Sequence, residues 1–174
     1  MGPQQYSLVF GINAIGIVSL GQLSARLVGR FGPTRLLVAG LTVGFVGGLG
    51  LVAAVGANAP LWLVLSALFV IVASMGLVMP NATALALADY GRAAGSASAM
   101  LGLGQFVVGG IAAPLSGALP LSPPIAMAAM MATFSGLAGL SFVLGGRLRR
   151  SAVNTARDER LVGAGGVGEP GRPA

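Results

Sequence analysis

The chain has 174 residues, 55% of them hydrophobic and only 8% charged, with a formal net charge of +6. Soluble domains carry about 25% charged residues, so a mean hydropathy of +0.89 excludes water as the main solvent of this surface. Cysteine and histidine are absent, which excludes disulfides, thiolate or imidazole metal sites, haem ligation and histidine acid–base chemistry within the chain; no cofactor, metal or catalytic residue is expected.

Charged residues cut the chain into three long uncharged stretches, Met1 to Ala25, Leu36 to Ala88 and Ala93 to Gly146. A helix needs about 20 apolar residues to cross the hydrocarbon core, so the first stretch holds one span and the others two each. The spacing predicts an all-α membrane domain over residues 1–146. Its first span runs from about Tyr6 to Leu23, before Arg26, Arg30 and Arg35, and its second from about Leu36 to Val55, before Gly56-Ala57-Asn58-Ala59-Pro60. The third covers about Leu61 to Leu87 and stops at Asp89-Tyr90-Gly91-Arg92. The fourth covers about Gly95 to Leu115 and breaks around Leu119-Pro120-Leu121-Ser122-Pro123-Pro124, where adjacent prolines cannot continue a helix. The fifth covers about Ile125 to Gly145. Residues 147–174 are rich in Gly, Pro and charge and read as a disordered tail.

All ten cationic residues are arginines at the ends of apolar blocks or in the tail, a placement that speaks of membrane topology and not of nucleic-acid binding. Arginines mark the first and third loops and the segment after the last span, whereas the second and fourth loops are uncharged. The positive-inside rule then puts the odd loops and the C-terminus in the cytoplasm, with Tyr6 and Trp62 at the outer interface and Phe31 and Tyr90 at the inner one. An outside N-terminus without a cationic leader favours a longer parent protein. A five-span protein that begins outside is the alternative.

Polar residues inside spans need partners or a wet cavity, because an unpaired amide in hydrocarbon costs several kcal/mol. Asn13 and Gln105 fall at mid-span, and Asn81 and Thr83 nearer the cytoplasmic end; each is a candidate for a substrate cavity or for an interhelical hydrogen bond. Gly40-x-x-x-Gly44-x-x-x-Gly48 gives the second span a smooth face for close packing or for a moving contact. Pro80 removes an amide donor from the third span and predicts a kink, either a fixed bend or a hinge. Asp89 and Arg92 form a candidate interfacial pair or a cytoplasmic gate contact.

The most specific run is Gly21-Gln22-Leu23-Ser24-Ala25-Arg26-Leu27-Val28-Gly29-Arg30-Phe31-Gly32-Pro33-Thr34-Arg35. By composition it is a short basic hairpin that obeys the positive-inside rule. Its order resembles the degenerate second copy of the major facilitator loop signature G-x-L-x-D-R-x-G-R-R, with Gly21, Arg26, Arg30, Gly32 and Arg35 as its marks and the acidic residue missing. Pro3-Gln4-Gln5-Tyr6, Met79-Pro80-Asn81-Ala82-Thr83 and Ala94-Gly95-Ser96-Ala97-Ser98-Ala99 are similar to the bicyclomycin-resistance (Bcr/CflA) branch of drug:proton antiporters. The resemblance covers about Pro3 to Gly146 and implies helices eight to twelve of twelve, a partial C-terminal half of a multidrug efflux transporter in the bacterial inner membrane.

Its implied partners are the lipid bilayer, the N-terminal part of the transporter and small amphipathic drug-like substrates. No acidic residue lies inside a predicted span, and intramembrane carboxylates are the usual proton carriers, so proton coupling is expected from the N-terminal part and no transport from this chain alone. A stand-alone membrane structural or accessory protein stays open as the second reading. An intramembrane enzyme is disfavoured, because Ser96 and Ser98 have no base within the spans.

Overall fold

The computed structural model describes residues 2–88 and 90–165. They form five α-helices and no strand: α1 Pro3–Phe31, α2 Pro33–Gly56, α3 Leu61–Leu87, α4 Ala94–Ala118 and α5 Pro123–Gly165, with one 3₁₀ turn at Gly91–Ala93. All five are long and apolar enough to cross a membrane, α5 through its segment Pro123–Gly146. The 24 residues of α2 rise about 36 Å at about 1.5 Å each, enough for a hydrocarbon core of about 30 Å.

Local chemistry explains where the helices stop. Only Gly32 separates α1 from α2, and it turns the chain at φ 77° and ψ 156°, a region closed to residues with a Cβ. Its N–H caps the Val28 carbonyl at 2.9 Å, and Pro33 opens α2, where a missing N–H costs nothing. At the other end of α2, Asn58 adopts φ 50°. Its N–H donates to Val55 O at 3.1 Å and the Ala59 N–H to Ala54 O at 2.9 Å. That is the Schellman pattern with Asn in the left-handed position, and Pro60 then starts the approach to α3.

Helix α1 runs eight residues past the Leu23 limit read from hydropathy, since Ser24 to Phe31 contain no proline and end at Gly32. Arg26 and Arg30 therefore ride on the last turns of a helix. Helix α5 likewise continues past the 125–145 span to Gly165, because residues 147–162 contain neither Gly nor Pro and are rich in Arg, Ala and Leu, which favour helix. Residues 166–174 and the Asp89–Arg92 pairing lie outside the described residues.

The chain divides into two compact units, one ending at Gly139 and the other beginning at Leu140. In the first, α3 packs most extensively, with α2 on one side and α1 on another. Helices α2 and α3 are antiparallel: Gly40 lies against Leu77 and Val78, Gly44 against Ser74, and Gly47 against Val70 and Ile71. A methyl placed on Gly40 would come 2.9 Å from Leu77 Cβ, so the missing side chains set the helix separation. Gly48 turns to α5 instead, where a methyl would come 3.0 Å from Ala132 Cα. Leu51, Ile71 and Ala128 meet as a buried cluster of α2, α3 and α5.

Helices α1 and α3 are parallel, with Gly16 beside Phe69 and Ala73, Gly21 beside Gly76, and Ser24 bonded to Asn81. The closest backbone approach is at Gly76, where a methyl would collide with the Ile17 carbonyl oxygen and sit 2.8 Å from Gly21 N. Pro80 lies inside α3 and cannot donate to the Gly76 carbonyl four residues back. That oxygen faces Gly21, 3.8 Å from where a Cβ would stand.

Candidate functional site

The first unit contains a cavity of about 490 Å³ bounded by α2, α3, α4 and α5. From α2 come Gly40, Leu41 and Gly44, the two glycines packed against α3 and adding no side chain of their own. From α3 come Ile71, Val72, Ser74, Met75 and Val78, and from α4 come Ala112, Ala113 and Ser116. Helix α5 supplies Met127, Met130, Met131, Phe134, Ser135 and Ala138, a stripe at spacings of three and four that puts them on one helical face. Helix α4 buries no residue, so the cavity exists where α4 stands off from its neighbours.

The lining holds no ionisable side chain. Its polar atoms are three serine hydroxyls, two of which are committed: Ser74 Oγ donates to Ile71 O at 2.6 Å and Ser116 Oγ to Ala113 O at 2.7 Å. Ser74 is fully buried with its hydroxyl against Gly44, so of the two only the half-buried Ser116 keeps lone pairs free to accept from a ligand. Ser135, half-buried, makes no hydrogen bond among the described residues. No group of three or more His, Cys, Asp or Glu side chains that could hold a metal occurs among the described residues. The site can therefore hold an apolar body by dispersion and orient it with a few weak hydrogen bonds.

The residues expected to line a cavity lie elsewhere. Asn81 is buried between α1 and α3, its Nδ2 donating to Ser24 Oγ and to Leu77 O, both at 2.7 Å. Asn13 is half-buried on α1, its Nδ2 donating to Val9 O at 2.9 Å and its buried Oδ1 without a partner among the described residues. Thr83 and Gln105 are exposed. Arg26, Arg30 and Arg35 are exposed around the Gly32 turn, with the Arg30 guanidinium 5.7 Å from the centre of the Phe31 ring. Amide chemistry drew the sequence reading to Asn and Gln; the signal it passed over was Met127-x-x-Met130-Met131-x-x-Phe134, a pattern equally typical of a packed core.

Among curated proteins, the chain is 29% identical over 146 residues to an uncharacterized MFS-type transporter, YdgK of Bacillus subtilis (strain 168), a match that covers 82% of this chain and 35% of that one. The chain thus spans about a third of the length of the curated relative it matches, 35%. No family model and no solved structure matches it. The five apolar helices support a multi-pass membrane protein, and the likeness is to an MFS-type transporter.

Proposed function

We propose that this chain is the C-terminal portion of a secondary transporter of the major facilitator type, a drug:proton antiporter of the bicyclomycin-resistance branch, set in the cytoplasmic membrane with its C-terminus inside. The likeness to an MFS-type transporter along 82% of the chain carries the reading. The order of the basic hairpin from Gly21 to Arg35 supports the placement in the second half. Transporters of this kind bind solute near mid-membrane at the interface between their halves and rock one half against the other, and this chain's share is one side of that interface, with the cavity among α2, α3, α4 and α5 as its candidate solute contact. No carboxylate occurs within the five spans, so the proton carrier belongs to the remainder of the transporter, and the chain's share is solute contact and helix packing.

Efflux from a drug-hypersensitive bacterial strain tests this, with the chain expressed alone and joined to the part of YdgK that it does not match. The joined protein is expected to lower the accumulation of a panel of aromatic dyes in a manner abolished by an uncoupler, while the chain alone does not. Export by the chain alone at the joined protein's rate would contradict the need for a second part. No export by a joined protein that reaches the membrane would contradict the transporter reading.

A further inference from the structure

We propose that the cavity between α2, α3, α4 and α5 selects an uncharged aromatic molecule carrying a single hydrogen-bond donor, and that it rejects aromatic cations. The proposal deepens the transport reading, on which it rests for the cavity being a solute site. Three observations carry it.

The first is charge. No ionisable side chain lines the cavity, and a cation entering it would lose its hydration without a counter-charge, a cost that the neutral form of the same molecule avoids. The second is directionality. Ser116 spends its proton on the Ala113 carbonyl, so its oxygen can only accept, while Ser74 is fully buried against Gly44 and out of a ligand's reach. A ligand that donates one hydrogen bond is matched, and a ligand that can only accept finds Ser135 alone. The third is the nature of the apolar wall. Met75, Met127, Met130 and Met131 bring four thioethers to one cavity, with Phe134 beside them. Thioethers are polarizable, adapt their shape and attract the edges of aromatic rings, so they favour a flat aromatic body over a saturated one. A volume of about 490 Å³ falls within the range of about 300–1,000 Å³ typical of small-molecule sites.

The probe is N-phenyl-1-naphthylamine, a neutral aromatic with one N–H donor whose fluorescence rises in apolar surroundings, titrated into the full 174-residue chain in phosphatidylcholine nanodiscs. Saturable binding above that of empty nanodiscs is expected, with ethidium, a permanent aromatic cation, failing to displace the probe. Ala112→Phe, which fills the cavity, should weaken binding about tenfold or more, and Met130→Leu, which keeps the volume and removes a sulfur, about twofold to threefold. Leu8→Phe, on an exposed position of α1, should leave binding unchanged. Circular dichroism of each variant separates loss of the site from loss of the fold, and Met130→Leu keeps the test decisive if Ala112→Phe misfolds. The proposal is overturned if uptake is linear as in empty nanodiscs, if a folded Ala112→Phe chain or the Met130→Leu chain binds like the parent, or if ethidium displaces the probe. Failure here alongside uncoupler-sensitive efflux by the joined protein would remove the selectivity and leave the transporter reading standing.

Discussion

The Asn81 amide donates to Ser24 Oγ at 2.7 Å, with both side chains 2% exposed, and so ties the C-terminal part of α1 to α3. A second bond to Leu77 O, also 2.7 Å, fixes the rotamer that makes this possible. Interhelical hydrogen bonds in membrane proteins average about 0.6 kcal/mol and reach about 1.7. Asn81→Ala should cost about 1 kcal/mol, and a double-mutant cycle with Ser24→Ala should give a coupling of about 0.6 kcal/mol, measured by unfolding in detergent. A coupling near zero would mean the bond contributes nothing beyond its geometry.

Gly76→Ala should destabilise by about 2 kcal/mol or more, because the methyl meets the Ile17 carbonyl and Gly21 N, which are backbone atoms that cannot rotate away. Gly104→Ala, with open space around it, should be neutral or slightly stabilising. Thermal unfolding of the two variants side by side checks the contrast, and equal midpoints would contradict the close α1–α3 crossing.

A methyl on Gly44 would come 2.9 Å from Ser74 Oγ but 3.8 Å from Ser74 Cβ. Gly44→Ala alone should therefore cost about 1–2 kcal/mol by overpacking. Adding Ser74→Ala should recover most of it, since only the hydroxyl is in the way. If the double variant is no more stable than Gly44→Ala, the α2–α3 contact is not as close as described.

Gly32→Ala should cost about 1–3 kcal/mol, the usual strain of a non-glycine residue held in such a backbone region, because no helix end remains free to move between Phe31 and Pro33. Gly29→Ala, where an added methyl meets nothing within 4 Å, is its control. Limited proteolysis at the hairpin should rise in the first variant and stay at the parent level in the second.

Hydropathy and charge made the five helices legible, because span length and arginine placement are one-dimensional properties of the chain. The break at Gly56 to Pro60 was legible for the same reason, and its chemistry is an Asn in the left-handed position followed by proline. The continuation of α1 to Phe31 was not, since charge marks where lipid ends and not where helix ends. Partnerships were harder still. The Gly40, Gly44 and Gly48 repeat names a small face, yet only coordinates show Gly40 and Gly44 turned to α3 and Gly48 to α5. Gly76 is legible in sequence only as the carbonyl that Pro80 leaves free; its close packing comes from Ile17 and Gly21, more than fifty residues earlier. The cavity lining was obscured by its own chemistry, since methionines at helical spacing read as core until neighbouring helices fail to fill the space before them.

The central claim, that solute passes along the cavity between α2 and α5, is tested most directly by the reactivity of one thiol. The chain has no cysteine, so Ser135→Cys places a single reactive group in the lining of this cavity. In the joined, efflux-competent protein, saturating solute should slow alkylation of that thiol about fivefold or more, and a bulky adduct should stop efflux. Alkylation at an unchanged rate, with the labelled protein exporting at full speed, would contradict a solute path through this cavity.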